Sequence, residues 1–480
     1  MRPLLLATVP LALSGMVVSP PARAAKPPAT SSTPATAPPP PAPPPVPAMP
    51  APTGAGPRAE KAVVVPIRIE IPLSVIMPPT EAKPDADSDY TTDRYEPAGF
   101  PLLGGDSDIG FQFGAVATLS HFADGIKPYS WNMDLVASAS LKDGPKGIQV
   151  VQESFLYNAD LPGYLGGKLR LNPQVQYQRT INMGYFGLGN QASGTVPANY
   201  TGPKGRYFEW IDSITNGYLQ PRYTLSGPWS LSGALGYRYM APSAYADSKL
   251  ARDAESKNPD GSPVVRGLQP LSVTQLAIGT IYDTRDNEVF PKHGAFNQIA
   301  VAYQQGIPTS ASVQYGEAQG LMQIYRPLGP LTFAARVVAD FQFGHVPFYD
   351  MFESGAFGQT EAIGGSMAVR GVPVGRYSGE IKIWGNAELR AMFIHFHLLK
   401  QKVSLGASAL FDTGRSWLNY SFSSPLDGNG VGLKYGVGGG IYCLWGQAAF
   451  FRIDAAYSPD ALAENPSFPL GIYVADGTSF

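Results

Sequence analysis

The chain has 480 residues, a formal net charge of −2 and a charged fraction of 15%, well below the roughly 25% of ordinary soluble proteins. That balance argues against nucleic acid as a partner. A single cysteine, Cys443, excludes an internal disulfide and a cysteine-based metal centre.

The first residues read as an export signal. Arg2 gives a short basic start, Leu4 to Val18 an apolar run, and Ala22-Arg23-Ala24 a small-x-small cleavage site, so residues 1–24 are expected to be a signal peptide removed after Ala24. A single membrane anchor is the competing reading, but the run is short for a span of roughly 20 residues. No cysteine stands at the cleavage site, which argues against a lipoprotein anchor.

Residues 25–60 are mostly Pro, Ala, Thr and Ser, including the run Pro38 to Pro41. Such a segment buries no core and is expected to be a disordered, polyproline-like linker with a reach on the order of 100 Å. It is either a plain spacer or a tether for a Pro-reading partner or the cell wall. Residues 61–99 form a short periplasmic or first-strand segment. Within it, Ala62 to Ile76 is apolar but interrupted by Pro66 and Pro72, which fits a short strand, a plug segment or a docking strip.

The barrel is expected over residues 100–480, and from about Gly105 to Phe480 the pattern has a period of two. Leu331, Phe333, Ala335, Val337, Ala339, Phe341 and Phe343 share one face, and Thr332, Arg336, Asp340 and Gln342 the other. Ile381, Ile383, Leu389 and Phe393 oppose Lys382, Asn386, Glu388 and Arg390; Phe451, Ile453 and Tyr457 oppose Arg452 and Asp454. Strict alternation predicts strands with one apolar and one polar face. Many run past ten residues, which suits tilted membrane crossings better than sandwich strands. Tight turns (Ser226-Gly227-Pro228, Pro327 to Pro330) alternate with long polar loops (Ala244 to Gly267, His345 to Ser378, Leu418 to Gly430). The expectation is an all-β fold: a 16-stranded antiparallel transmembrane β-barrel behind a disordered Pro-rich tail, integral to a bacterial outer membrane and in contact with its lipids. About fifteen strands are countable back from Phe480. An even number keeps both ends in the periplasm, so the sixteenth is expected before Asp106, within Ala62 to Pro101.

Four local patterns add to this. Val369-Arg370-Gly371 precedes Gly375-Arg376-Tyr377. Phe411-Asp412-Thr413-Gly414-Arg415 lies in a strand. Asp283-Thr284-Arg285-Asp286-Asn287 runs into Phe290-Pro291 and Gly294, and Tyr185-Phe186-Gly187-Leu188-Gly189-Asn190 is a glycine-rich loop. In this order they resemble the BamA/TamA superfamily of outer-membrane barrels, also called the bacterial surface antigen family, over roughly Phe100 to Phe480. The resemblance implies a long loop that folds back into the barrel, with Arg370 and Gly371 meeting a wall that carries Asp412 and Gly414. Alternation independently turns Asp412 inward, so an Arg370–Asp412 pair inside the lumen is expected. Val372 stands where the family often has an aromatic. Ile472, Val474, Gly477 and terminal Phe480 resemble a C-terminal targeting strand, with the phenyl ring expected at the periplasmic interface. The family's periplasmic POTRA modules have no counterpart. About fifty residues separate the linker from the first clear strand, so a partner reached through the N-terminal tail would have to supply them.

Catalytic signatures are lacking: there is no nucleophile elbow, no phosphate-cradling loop and no zinc-type cysteine set. No enzyme activity, cofactor or metal is therefore expected. His395 and His397 share a face, grouped by parity with Phe393 and Leu389, and a structural role is expected for them. The pairs Arg336/Asp340, Glu388/Arg390 and Arg452/Asp454 read as lumen ladders. Assembly or translocation of outer-membrane proteins is the leading function implied by the resemblance. A passive or loop-gated pore is the alternative, and a soluble secreted β-protein or enzyme the third reading.

Overall fold

Alternating segments become strands because every second side chain can turn to lipid while the others meet in a shared lumen. The computed structural model describes Ile69–Glu70 and residues 92–480, apart from 107–108, 124–125, 127–128, 145–146, 192–193, 288–289, 309–311, 359, 399–400, 446–448, 465–468 and 477–479. The expected signal peptide, the Pro-rich linker and most of the segment before the barrel lie outside the described residues.

Among the described residues, sixteen long strands form one sheet. They are β1 (Arg94–Asp106), β2 (Gly110–Phe122), β3 (Trp131–Gly144), β4 (Gly147–Gly163), β5 (Leu169–Gly184), β6 (Glu209–Ser226), β7 (Trp229–Met240) and β8 (Leu271–Asp283). The second half comprises β9 (Gly294–Ile307), β10 (Gln314–Leu328), β11 (Leu331–His345), β12 (Ile381–Leu398), β13 (Gln401–Trp417), β14 (Lys434–Trp445), β15 (Ala449–Tyr457) and β16 (Leu470–Asp476). Each pairs antiparallel with the next, and β16 returns to β1 through the single pair Asp106–Tyr473. The adjoining residues Val474 and Ala475 pair in parallel with Ile69 and Glu70. The first strand straddles the boundary expected at residue 100. Pro97 and Pro101 interrupt its apolar pattern, and an edge strand tolerates prolines because few of its N–H groups are needed by a neighbour.

The connections sort by length. Residues 185–208, 241–270, 346–380 and 418–433 lie at one end of the strands, and the tight turns at 227–228 and 329–330 at the other. We refer to these as the long-loop and short-turn ends.

The two faces are the reverse of a soluble protein's. Leu276, Ile299, Met322, Val337 and Ile441 are all at least half exposed on the outer face, whereas Glu317, Arg336, Asp340, Asp412 and Asp454 are buried inside. Outward apolar and inward charged side chains are the signature of a lipid-embedded cylinder. Ile381 shares the outer face of its cross-strand partners Phe341 and Trp417 and is buried between them. One expectation on β12 needs correction. A bulge between Met392 and Ile394 shifts the register against β13, so His395 falls opposite Ser404 on the lumen side, with Nδ1 2.9 Å from Ser404 Oγ. An inserted residue reverses the parity of everything after it, which separates His395 from Leu389.

Placing arginine on the outer face tests this orientation. Ile278→Arg, near the middle of β8, is expected to cost about 2–4 kcal/mol of folding stability, and Leu331→Arg, at the short-turn edge, about 0–1 kcal/mol. Denaturant titration of the protein folded into lipid vesicles measures both, and equal costs would refute the assigned membrane depth.

Candidate functional site

Residues 346–380, between β11 and β12, turn back into the lumen instead of extending outward. Apolar side chains carry the fold-back: Ile363, Ala368, Val369 and Val372 of the loop pack with Val338 and Trp384 of the wall. Burial of Val372 in this cluster shows what replaces the aromatic expected there.

Arg370 is fully buried at the tip. Its Nε donates to Asp412 Oδ2 at 2.7 Å and its Nη2 to Asp412 Oδ1 at 3.0 Å. Nη1 donates to Asp454 Oδ2 at 3.0 Å, and Nη2 lies 2.7 Å from Glu388 Oε1. The main-chain N–H of Arg370 adds a bond to Asp412 Oδ2 at 3.1 Å. One planar cation is thus held by carboxylates on β12, β13 and β15, with the two-pronged geometry that guanidinium alone supplies.

The surroundings extend the network. Asn386 Nδ2 donates to Asp412 Oδ1 at 2.8 Å and to the loop carbonyl of Ala368 at 2.6 Å. Arg390 Nε donates to Glu388 Oε2 at 2.7 Å, Tyr442 Oη to the same oxygen at 2.9 Å, and Arg452 to Asp454. Arg336 bonds Asn386 Oδ1 at 3.0 Å and the Met367 carbonyl, while Asp340 takes Lys382 at 2.9 Å, so this expected ladder is split between two partners. Two glycines make the approach possible. Gly371 has a φ of +89°, which L side chains rarely adopt, and its N–H donates to Tyr473 Oη on β16 at 2.8 Å. A Cβ on Gly436 of β14 would stand 1.8 Å from the Arg370 carbonyl oxygen. Gly414 lies on the same inner wall, closed over by Trp384 and Ile363.

The long-loop end is tied down as well. Tyr377 Oη donates to Asp460 Oδ1 at 2.5 Å, and Arg376 Nε lies 3.2 Å from the same oxygen. Burial, reinforced by this carboxylate, holds the Tyr377 phenol well above its usual range. The glycine-rich loop joins in: Gly189 N–H donates to Ser378 Oγ at 3.1 Å, and Asn190 Nδ2 to the Gly432 carbonyl at 2.8 Å.

The Asp283 to Gly294 signature sits elsewhere, in the turn between β8 and β9 at the short-turn end. Arg285 Nε and Nη2 donate to the two Asp283 oxygens at 3.0 and 2.8 Å. Asp286 Oδ1 accepts from the N–H groups of Lys292 and His293 at 2.9 and 3.0 Å, closing the turn ahead of buried Pro291 and Gly294. Phe290 enters the lumen and stacks on Phe450, ring centroids 5.4 Å apart. It closes that end of the barrel without touching Arg370.

The C-terminal residues divide. Ile472 and Val474 lie on β16, and Gly477 falls outside the described residues. Phe480 is not at the membrane interface: it is buried in the lumen at 7% exposure, beside Tyr325. Its ring lies 4.8 Å from the Arg390 guanidinium and 5.0 Å from that of Arg336, and its carbonyl accepts from Arg390 at 3.2 Å. An aromatic face against two inward cations is a favourable place for it.

A family model described as the Omp85 superfamily domain matches residues 169–472. The chain belongs to the Omp85 superfamily. No curated protein matches it. Among solved structures it is similar to BamA from Haemophilus ducreyi lacking POTRA domains 1-3, at 14% identity over 80% of this chain and 70% of that one, with a TM-score of 0.50. It is also similar to CdiB from Escherichia coli, at 13% identity over 76% of this chain, with a TM-score of 0.48. CdiB from Acinetobacter baumannii matches at 14% identity over 79% of this chain, with a TM-score of 0.43. The chain spans 58% of the length of either CdiB. At these identities the likeness is one of fold: an outer-membrane β-barrel. The sequence reading of this Omp85 barrel paired Arg370 with Asp412 but did not connect it to Glu388, Asp454, Asn386 or Tyr473. Alternation had already turned Glu388, Asn386 and Asp454 inward; which loop residue meets them is set by the loop's path, which has no periodicity.

Removing Arg370 leaves buried carboxylates without their shared cation. Arg370→Ala is expected to destabilise the barrel by about 3–5 kcal/mol, and Arg370→Lys by less, since the charge stays and the fork is lost. The temperature at which the folded band disappears in semi-native electrophoresis should fall in the order wild type, Lys, Ala. An unchanged Ala variant would show the network to be dispensable.

Proposed function

We propose that this Omp85 barrel inserts or exports polypeptides at the outer membrane by opening between β1 and β16, as the family resemblance implies. In this reading its short-turn end and N-terminal tail face the periplasm, and a partner engaging that tail supplies substrate recognition. The work is conformational, and no reaction is assigned to the chain. One observation carries the proposal: among the described residues β1 and β16 share a single residue pair, while every other neighbouring pair of strands is bonded along a run of residues. In lipid, unpaired backbone groups cost several kcal/mol each, so such a seam is the place where an incoming strand gains most by pairing. The parallel contact of Ile69–Glu70 with Val474–Ala475 supports this reading, since a short segment of the chain already pairs with that edge. The Gly371–Tyr473 bond connects this edge to the buried loop, so seam and plug are expected to move together.

A loop-gated pore is the second reading, favoured by a cavity of about 810 Å³ left beside the plug and lined by Gln112, Gln152, Gln176 and Gln178. A disulfide across the seam separates the two. In a Cys443→Ser background, the pair Asp106→Cys and Tyr473→Cys is expected to abolish function under oxidising conditions and restore it on reduction, with Tyr473→Cys alone as control. The readout is the abundance of other outer-membrane and exported proteins in cells depending on this copy. Full function of the stapled barrel, together with ion conductance that rises when residues 362–374 are deleted, would replace the proposal by the pore.

A further inference from the structure

The cavity beside the plug changes character with depth. At its mouth, toward the long-loop end, Lys204 is exposed and Glu209 is held by Arg206. Lys142 and Glu361 also line the cavity, and both have partners within the protein. Further in, the wall is built from Trp210 and Ile214 of β6, Met240 of β7 and Phe352 of the plug, all packed in one apolar cluster.

Among these apolar groups stands a carboxylate that nothing answers. Asp212 of β6 is 6% exposed, lines the cavity, and its Oδ1 has no hydrogen-bond partner. Tyr349 of the plug is 3% exposed and lines the same space, and its hydroxyl is likewise without a partner. Glu353, also in the lining, has a distant approach of 3.8 Å from Arg238 Nη1. Asp212 and Glu353 lie near enough to act electrostatically on the Tyr349 phenol and on each other. The cations that reach this group are committed elsewhere: Arg238 to Asp350 at 2.6 Å, and Lys382 to Asp340 at 2.9 Å. Negative charge is therefore in excess where water is scarce, which is unfavourable until a countercharge arrives.

The surroundings decide what kind of cation fits. Among the described residues no three His, Cys, Asp or Glu side chains form a metal-ligating cluster, and hard metal ions need a shell of oxygens that this apolar wall does not supply. A proton would neutralise one carboxyl. An ammonium group has three donors, enough for Asp212, Glu353 and the Tyr349 oxygen together. Trp210 and Phe352 offer ring faces to a cation and apolar surface to whatever carries it. The volume of about 810 Å³ lies within the roughly 300–1,000 Å³ of small-ligand sites. We propose that this cavity binds a primary amine on an apolar or aromatic body, its ammonium against Asp212. The proposal stands on the lumen geometry alone and is independent of seam opening.

The test titrates the full-length protein in lipid nanodiscs calorimetrically with phenethylamine and tryptamine. The neutral 2-phenylethanol, the anionic phenylacetate and the body-less cation methylammonium serve as comparisons. At least one of the two amines should bind saturably with one site per chain, and each comparison at least tenfold more weakly. Asp212→Asn should weaken amine binding tenfold or more, as expected for loss of a charge-assisted hydrogen bond in a buried site. Glu353→Gln, a second variant at a less buried carboxylate, should weaken it roughly three- to tenfold. Heat-modifiable migration reports whether each variant keeps a folded barrel. No saturable binding of either amine, equal binding of the alcohol or of methylammonium, or binding indifferent to the folded variants would overturn the proposal.

Discussion

A guanidinium with no exposed surface, shared among carboxylates from three strands, organises the interior of this barrel. Stripping water from Arg370, Asp412, Glu388 and Asp454 is costly, and their mutual attraction offsets that cost only in a fixed geometry. The fork from Nε and Nη2 to Asp412 fixes the plane, and the contacts to Asp454 and Glu388 fix the rotation within it. The main chain follows, because the Arg370 carbonyl rests against Gly436 and its N–H is already committed to Asp412. The loop is therefore engaged with β12, β13, β14 and β15 together. Partial withdrawal would leave charges without their partners, so the network resists piecemeal release.

The seam is shaped by a different constraint. A lipid-embedded sheet must satisfy its backbone within itself, and fifteen of the sixteen junctions do so with extended ladders. The last does not, because β16 spans only Leu470–Asp476 while β1 spans Arg94–Asp106. Among the described residues, β1 is paired toward β16 at Asp106. Its prolines at 97 and 101 fit a sheet edge, since they have no N–H to leave unmatched. The bond from Gly371 to Tyr473 means that the weakest junction of the sheet is braced by the most strongly held loop of the lumen.

Much of this was legible in the residues. Period-two alternation placed Arg336, Asp340, Glu388, Asp412, Arg452 and Asp454 on the inner face, and strand length pointed to a membrane. The count of sixteen followed from the parity of the ends, without the first strand having been located. Three features escaped for physical reasons. The bulge at Met392–Ile394 leaves no mark in a hydrophobicity pattern, yet it moves His395 across the wall. Phe480 was expected where an aromatic meets the membrane interface, but two inward arginines gather around it, a tertiary effect beyond the reach of a terminal motif. Glycine at 436 reads as an ordinary weak strand residue until the loop that needs its missing Cβ is in place.

The distribution of charge along the chain also decides where the plug lies. The inner wall from β10 to β15 carries Glu317, Asp340, Lys382, Glu388, Arg390, Asp412, Arg452 and Asp454, whereas the facing positions of β4 and β5 offer Gln152, Ser154, Gln176, Gln178 and Thr180. Amide and hydroxyl groups exchange water for a protein partner with little net gain, so they give an incoming loop no preferred orientation. Ionised groups in a low-dielectric interior do, because a misplaced charge is penalised far more than a misplaced amide. Two of the loop's charges dock on ionised partners: Arg370 onto Asp412, and Asp350 onto Arg238 of β7 at 2.6 Å, with Tyr315 of β10 donating to the same carboxylate at 2.5 Å. Anchored at those two points, the plug is drawn away from β4 and β5. The open space beside the amide wall is thus a consequence of the same electrostatics that closes the other half of the lumen.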